Sequence, residues 1–113
     1  MRLSDINHYQ FRHRIDVIEY VNDVDSDSLP LEVERTVMSL HARVDVPTLR
    51  RQEALIAQGI NVSKTLLFVF RNVAGFDSEI HKIRYKNRIY DVIGIEDVEE
   101  RGLFLNVFGE VKT

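Results

Sequence analysis

Apolar side chains in this chain recur at every second position, and that period decides most of what it can fold into. Phe11, His13, Ile15 and Val17 alternate with Arg12, Arg14 and Asp16, which gives an extended segment one face to bury and one to wet. Beyond Val17 the alternation loosens, because Ile18, Tyr20 and Val21 do not share that face, and a twist or bulge is expected there. Asp23 to Pro30 is dense in turn formers and reads as a loop. A long strand is expected from Val33 to Val46. It places Thr36, Met38, Leu40, Ala42 and Val44 on one face, and Val33, Arg35, Val37, Ser39, His41 and Arg43 on the other. Pro47 ends it.

Thr48 to Gly59 changes character. Thr48 can cap the first turn of a helix, Leu49, Gln52/Glu53 and Ile56 fall on a helical stripe, and Gly59 sits where the residue after a C-cap belongs. With so thin an apolar face this helix is marginal in water by itself, so it needs a partner surface or changes conformation in context. Lys64 to Arg71 is β-branched and aromatic on both faces, the pattern of a strand covered on both sides. Asn72 to Ser78 is a turn. Ile80 to Tyr85 and Arg88 to Ile95 flank Lys86-Asn87, a two-residue loop in which Asn tolerates the positive φ of a hairpin turn. Asp97 to Gly102 turns again, and Leu103 to Val111 forms the last strand.

These segments make six strands and one short helix in a chain of 113 residues, which holds one domain. A mainly β fold is expected: a small six-stranded antiparallel barrel, SH3-like, whose closure removes exposed edges. Residues 1–7 read as an N-terminal arm and residues 48–62 as a helix or loop insertion between the second and third strands.

Composition narrows the function classes. The chain has no Cys, which removes disulfides, thiol catalysis and thiolate zinc sites. No window approaches the roughly 18 apolar residues of a membrane span, so no membrane partner is expected. The start, MRLSDINHYQ, lacks the apolar core of a signal peptide, and the expectation is a protein that stays where it is made. With 15 basic and 18 acidic residues the net charge is −3, which argues against a standalone nucleic-acid binder. The charge is unevenly spread: five acidic residues and no basic one lie between Asp23 and Glu34, and four basic residues and no acidic one between Lys82 and Arg88.

Chemistry-bearing motifs are sparse. Asp23, Asp25, Asp27 and Glu34 fall at positions 1, 3, 5 and 12 of an EF-hand loop, but Ser28 stands where Gly is needed, Pro30 lacks an N–H, and the flanks are strand-like. A solvated acidic hairpin tip is the better reading, with no cofactor or metal. His8, His13, His41 and His81 lie on strand-like segments without ligand spacing and read as structural. The Asn61-Val62-Ser63 sequon has no role in a chain without a secretory signal. The glycines are too scattered for a phosphate loop, there is no G-x-S-x-G elbow, and Glu99-Glu100 sits in a tip too wet for acid catalysis. No catalytic constellation emerges, and no enzyme is expected.

Lys82, Arg84, Lys86 and Arg88 recur opposite Ile83 and Tyr85. They form either the outward face of a hairpin or a basic ridge that meets an acidic partner, such as the 23–34 segment of a neighbouring copy. On the second reading Asp23, Asp25 and Asp27 and the four basic residues are inter-subunit or partner contacts that fix register more than they add affinity.

Three stretches resemble the phage head–tail joining, or head closure, proteins. Phe11-Arg12-His13-Arg14-Ile15 is similar to their "FRHRI" opening strand. Leu40-His41-Ala42-Arg43-Val44-Asp45, followed by Arg51-Gln52-Glu53-Ala54, resembles their "W-A-x-V-x-P" strand and adjoining insertion. Ile83 to Val92 is similar to their "hydrophobic-x-Tyr-x-Gly-Arg-x-Tyr-x-Ile" hairpin and is the most specific match. Leu40 stands where Trp is common and Asn87 where Gly is usual; Leu still fills a core and Asn still tolerates the turn. The likeness runs over roughly residues 8 to 108.

The resemblance implies a virion neck protein, assembled in a bacterial cytoplasm as a homo-oligomeric ring of about twelve copies under the portal and its adaptor. Such a ring continues the DNA channel, retains the packaged double-stranded genome through transient contact, and docks a tail completion or tail terminator protein. It further implies that the segment between strands two and three projects into the channel, which here makes Thr48, Arg50, Arg51, Gln52, Glu53, Gln58 and Asn61 the closure residues. Another neck component, adaptor or tail completion protein, fits the same patterns. An SH3-like or OB-like module for nucleic acid or peptide is the alternative from a different class. It predicts an exposed basic, aromatic face, whereas Phe68, Phe70, Tyr85, Tyr90, Phe104 and Phe108 look like core residues.

Overall fold

The computed structural model describes residues 11–24, 26–98 and 101–111. Among them are six strands, β1 (His13–Val24), β2 (Pro30–Asp45), β3 (Thr65–Arg71), β4 (Lys82–Tyr85), β5 (Arg88–Asp97) and β6 (Phe104–Val111), and one α-helix, α1 (Leu49–Ala57). All ladders are antiparallel, and the order β1-β2-β3-β6-β5-β4 closes into a barrel through β1 and β4. The expected fold class is the observed one. His8, Asp25 and the Glu99-Glu100 pair lie outside the described residues, as does the whole of the expected arm at 1–7.

Alternation builds the core. Ile15, Ala42, Phe68, Phe70, Ile83, Tyr85, Tyr90, Leu105 and Val107 form one buried cluster, with Leu40, Val44, Leu66 and Val92 packed against it. Phe68 sits at its centre, edge-on to both Tyr85 and Tyr90 at ring separations of 5.9 and 5.2 Å. Val69, between Phe68 and Phe70, is also fully buried, so β3 is covered on both faces as its composition indicated.

The expected irregularity after Val17 is a bulge. Val17 pairs with Met38 and Ile18 with Thr36, leaving Val37 unmatched. It inverts the expected faces ahead of it. Thr36 was expected on the face of Met38 but lies on the outer side, where its hydroxyl accepts from Arg84 at 3.2 Å. Val33 and Arg35, expected on the face of Ser39, pair with Val21 and Glu19 on the other. The bulge also lets β1 run on to Val24 and β2 begin at Pro30, so the Asp23–Pro30 loop shrinks to a hairpin tip. β4 is shorter than expected, because Ile80 and His81 donate their amides to the Asp77 carbonyl in a turn. Lys86 and Asn87 both have positive φ, 50° and 63°, as a two-residue hairpin turn between β4 and β5 demands.

Beyond the barrel wall the β1–β2 hairpin projects without a third strand among the described residues. β4 pairs with β1 only at residues 16–18, and β3 pairs with β2 only at 43–45. Among the described residues the distal strands therefore share backbone ladders only with each other, with side-chain ties from Arg84 to Glu34 and Thr36 and from His81 to Glu19. The longest dimension of the molecule is 53 Å against 30 and 24 Å across.

Candidate functional site

The insertion between β2 and β3 is built from local capping. The Thr48 hydroxyl accepts the Arg51 amide at 3.4 Å, and Gln52 Nε2 donates back to the Pro47 carbonyl at 2.9 Å. Gly59, at φ +80°, ends the helix as expected. Asn61 then caps a 3-10 turn, its Oδ1 accepting from the Ser63 amide at 3.1 Å and the Ser63 hydroxyl at 2.6 Å. Thr48, Gln52 and Asn61 thus have roles inside the segment, while Arg50, Glu53 and Gln58 are exposed.

The face α1 turns to the barrel is not the stripe read from its sequence. Leu49 and Ile56 are 72% and 59% exposed. Arg51, Ala54, Leu55 and Gln58 instead line a small groove together with Ile93 to Glu96 and Phe108. Arg51 makes two bonds to the Glu96 carboxylate, one of them 2.6 Å, and its guanidinium lies 5.4 Å from the Phe108 ring centroid. Hydrophobic periodicity misses such a contact because its anchor is a cation.

The basic hairpin is divided. Arg84 donates to Asp16 at 2.9 Å and pairs with Glu34, and Lys82 pairs with Asp91. Ser39 Oγ donates to the other Asp16 oxygen at 2.6 Å. The Ser39 hydroxyl, then Arg84, hold the Asp16 carboxyl below its ordinary range, and Asp16 in turn raises that of Arg84. Glu34 belongs to the same chain's acidic segment, so part of the charge pairing expected between copies is made within one. Lys86, at the turn, lies over the Tyr85 ring at 5.3 Å, and Arg88 is exposed. Asp23 accepts the Val24 amide at 2.8 Å, and Asp27 is exposed at the hairpin tip.

Other candidates resolve locally. His13 bonds the Tyr85 hydroxyl at 3.1 Å, His81 is buried and accepts the Asp77 amide at 2.9 Å, and His41 is exposed on β2. No three metal-ligating side chains converge among the described residues. An open cleft of about 680 Å³ is lined by Ser63 to Leu66, Asn87 to Tyr90 and Val111, with neither carboxylate nor imidazole among the described residues of its wall. Phe68, Phe70, Tyr85, Tyr90 and Phe108 are buried, and Phe104 stacks on Phe11 at 5.5 Å, so these rings offer no open platform for bases. No helix of the described residues is long and apolar enough to cross a membrane.

The described residues form a barrel that carries a capped insertion and a projecting hairpin. The family model for phage head completion proteins matches residues 6–112. The chain belongs to the phage head completion protein family. That family is structural and not enzymatic, and the chain is a phage head structural protein. Two solved structures share the barrel. One is the solution structure of protein SF1141 from Shigella flexneri 2a, with 17% identity, TM-score 0.68, and 90% of this chain and 93% of that one covered. The other is a chain of the virion of a native gene transfer agent particle, with 14% identity, TM-score 0.57, and 89% and 94% covered. No curated protein matches the sequence.

Proposed function

We propose that this head completion protein forms a ring in the virion neck, beneath the portal and adaptor, where it continues the DNA channel, retains the packaged genome and docks the tail. The family match over residues 6–112 carries the reading. The fold shared with a chain of a virion particle supports it. The closing element is the 48–62 segment. It leaves and re-enters the barrel between strands that pair at Asp45 and Leu67, it displays Leu49 and Ile56 outward, and its main polar tie to the wall is Arg51. Closure is steric and multivalent: a weak contact repeated around a ring becomes firm because each contact is intramolecular once the ring has formed. The net charge of −3 suits a wall that lets phosphates slide past.

The test is complementation of heads that lack this protein. Replacing residues 48–62 by a short linker leaves the barrel ladders in place, because Asp45 and Leu67 are one strand spacing apart. Heads that receive the deleted protein are expected to bind it but to leak DNA into a nuclease-sensitive pool. Leu49→Asp with Ile56→Asp, which alters only exposed positions, is expected to do the same. Full genome retention with both variants would overturn the closing role.

A further inference from the structure

We propose that the distal β1–β2 hairpin is a docking arm for a second copy of this chain, received on the cationic face formed by Arg12, Arg14 and Lys86. This rests on the ring reading and says which surfaces make the ring.

The arm lacks what a hairpin needs to stand in water. Past Ile18 on β1 and before Arg43 on β2, neither strand pairs with a third strand among the described residues, and the side-chain ties from His81 and Arg84 reach the arm at Glu19 and Glu34. A two-stranded ribbon is marginal without a covering surface. Its end is also apolar: Val24 is 60% exposed, Leu29 58% and Leu31 47%. Such residues on two open edges describe an interface more than a solvated tip.

Charge identifies the occupant. The 23–34 stretch carries five acidic residues and no basic one. At the opposite end of the same ladder, Arg12 and Arg14 are exposed and have no ion-pair partner among the described residues. His41 stands across from Arg14, and Lys86 lies at the β4–β5 turn, two residues beyond Arg84, which pairs with Asp16. Between the two ends, Arg84 bridges Asp16 and Glu34, which leaves Asp23, Asp25, Asp27 and Glu32 as the remaining acidic residues of the 23–34 stretch. The hairpin thus runs from positive at its base to net negative at its middle and tip.

One molecule cannot join its own ends. Arg14 pairs with His41 and Asn22 with Glu32, eight residues further along β1, or about 26 Å on a continuous ladder. The complement of each end lies on another copy, and a tip-to-base contact is heterologous, the kind that repeats around a ring. DNA is a poor occupant for the tip, since acidic residues repel phosphate.

The absence of cysteine gives a clean test. His41→Cys with Asn22→Cys alters exposed neighbours of Arg14 and Glu32 and leaves the charges of both surfaces in place. Oxidised in concentrated solution and on complemented heads, this protein is expected to give a ladder of covalent dimers, trimers and higher species. Either single cysteine yields dimers at most. Adding Asp23→Lys is expected to reduce the ladder at least fivefold, and adding Arg12→Glu to that protein is expected to restore it. No ladder in either setting, or a ladder indifferent to Asp23→Lys, overturns the arm. Rescue of defective heads by the unaltered chain is scored separately, so the arm can fail while the neck function stands.

Discussion

Arg51 of α1 grips Glu96 of β5 through both terminal guanidinium nitrogens while lying across the ring of Phe108. This is the tie between the insertion and the barrel wall, and both charged side chains are nearly half exposed. An exposed pair of this kind is worth about 0.5–1 kcal/mol. Arg51→Ala is therefore expected to leave the barrel's melting transition almost unchanged. The amides of residues 52–58 are expected to exchange several-fold faster, because local opening is governed by the tie and not by the core. Hydrogen exchange resolved by residue checks this, and Arg51→Glu with Glu96→Arg should return most of the protection.

The course of β1, β2 and β3 is legible in the sequence because the period of two is a local property, and the core faces of Ile15, Met38, Leu40 and Phe68 follow from it. The docked face of α1 is not legible. Its partners Glu96 and Phe108 lie some 45 and 57 positions downstream of Arg51, and Leu49 and Ile56 form the better apolar stripe yet face outward. The fate of Arg84 is hidden for a similar reason. Outward-facing alternation is visible, but the register that sets Arg84 beside Asp16 is fixed only when β4 closes the barrel on β1. A rule that paired each basic strand residue with acids on all other candidate strands could have flagged Asp16 and Glu34. It could not have chosen between copies.

Asp16 makes the stability of the β1–β4 seam depend on acid. Its carboxyl titrates below the ordinary value because Ser39 and Arg84 bond its charged form. That contribution is fully present above the unfolded aspartate range near pH 4, and is lost as pH falls through the lower folded value. Denaturant unfolding between about pH 5 and pH 2 is expected to show a falling midpoint. Ser39→Ala with Arg84→Met is expected to be less stable near neutrality and to have a flatter acid limb. An acid limb equally steep in the variant would remove Asp16 as its source.

Gly109 is fixed by the rings around it. A Cβ there would lie 2.9 Å from Cε2 of Phe68 and 3.0 Å from Cβ of Tyr90, neither of which can swing away inside the closed barrel. Gly109→Ala is expected to cost about 1–3 kcal/mol through overpacking. Gly94→Ala, where the nearest atom is Phe108 Cδ2 at 3.6 Å, should cost much less. Thermal melts of the two variants side by side separate this steric effect from any general intolerance of side chains on the strands.

His81 holds the 72–81 connection to the barrel from inside. Its Nδ1 accepts the Asp77 amide at 2.9 Å, its own amide donates to the Asp77 carbonyl at 2.9 Å, and the ring leans on Phe76. Acceptance at Nδ1 leaves the ring proton on Nε2, which faces the Glu19 carboxylate at 3.5 Å. Glu19 also pairs with Arg35 across the hairpin, so the ring links the connection to the root of the projecting arm. His81→Leu keeps the bulk but strands the Asp77 amide, at an expected cost of about 1–2 kcal/mol. His81→Gln, which offers an oxygen to that amide, should recover part of the loss. The decisive reading is hydrogen exchange at Asp77: fast in the Leu variant and slowed again in the Gln variant if the imidazole acts as an acceptor, and equally slow in all three proteins if it only fills space.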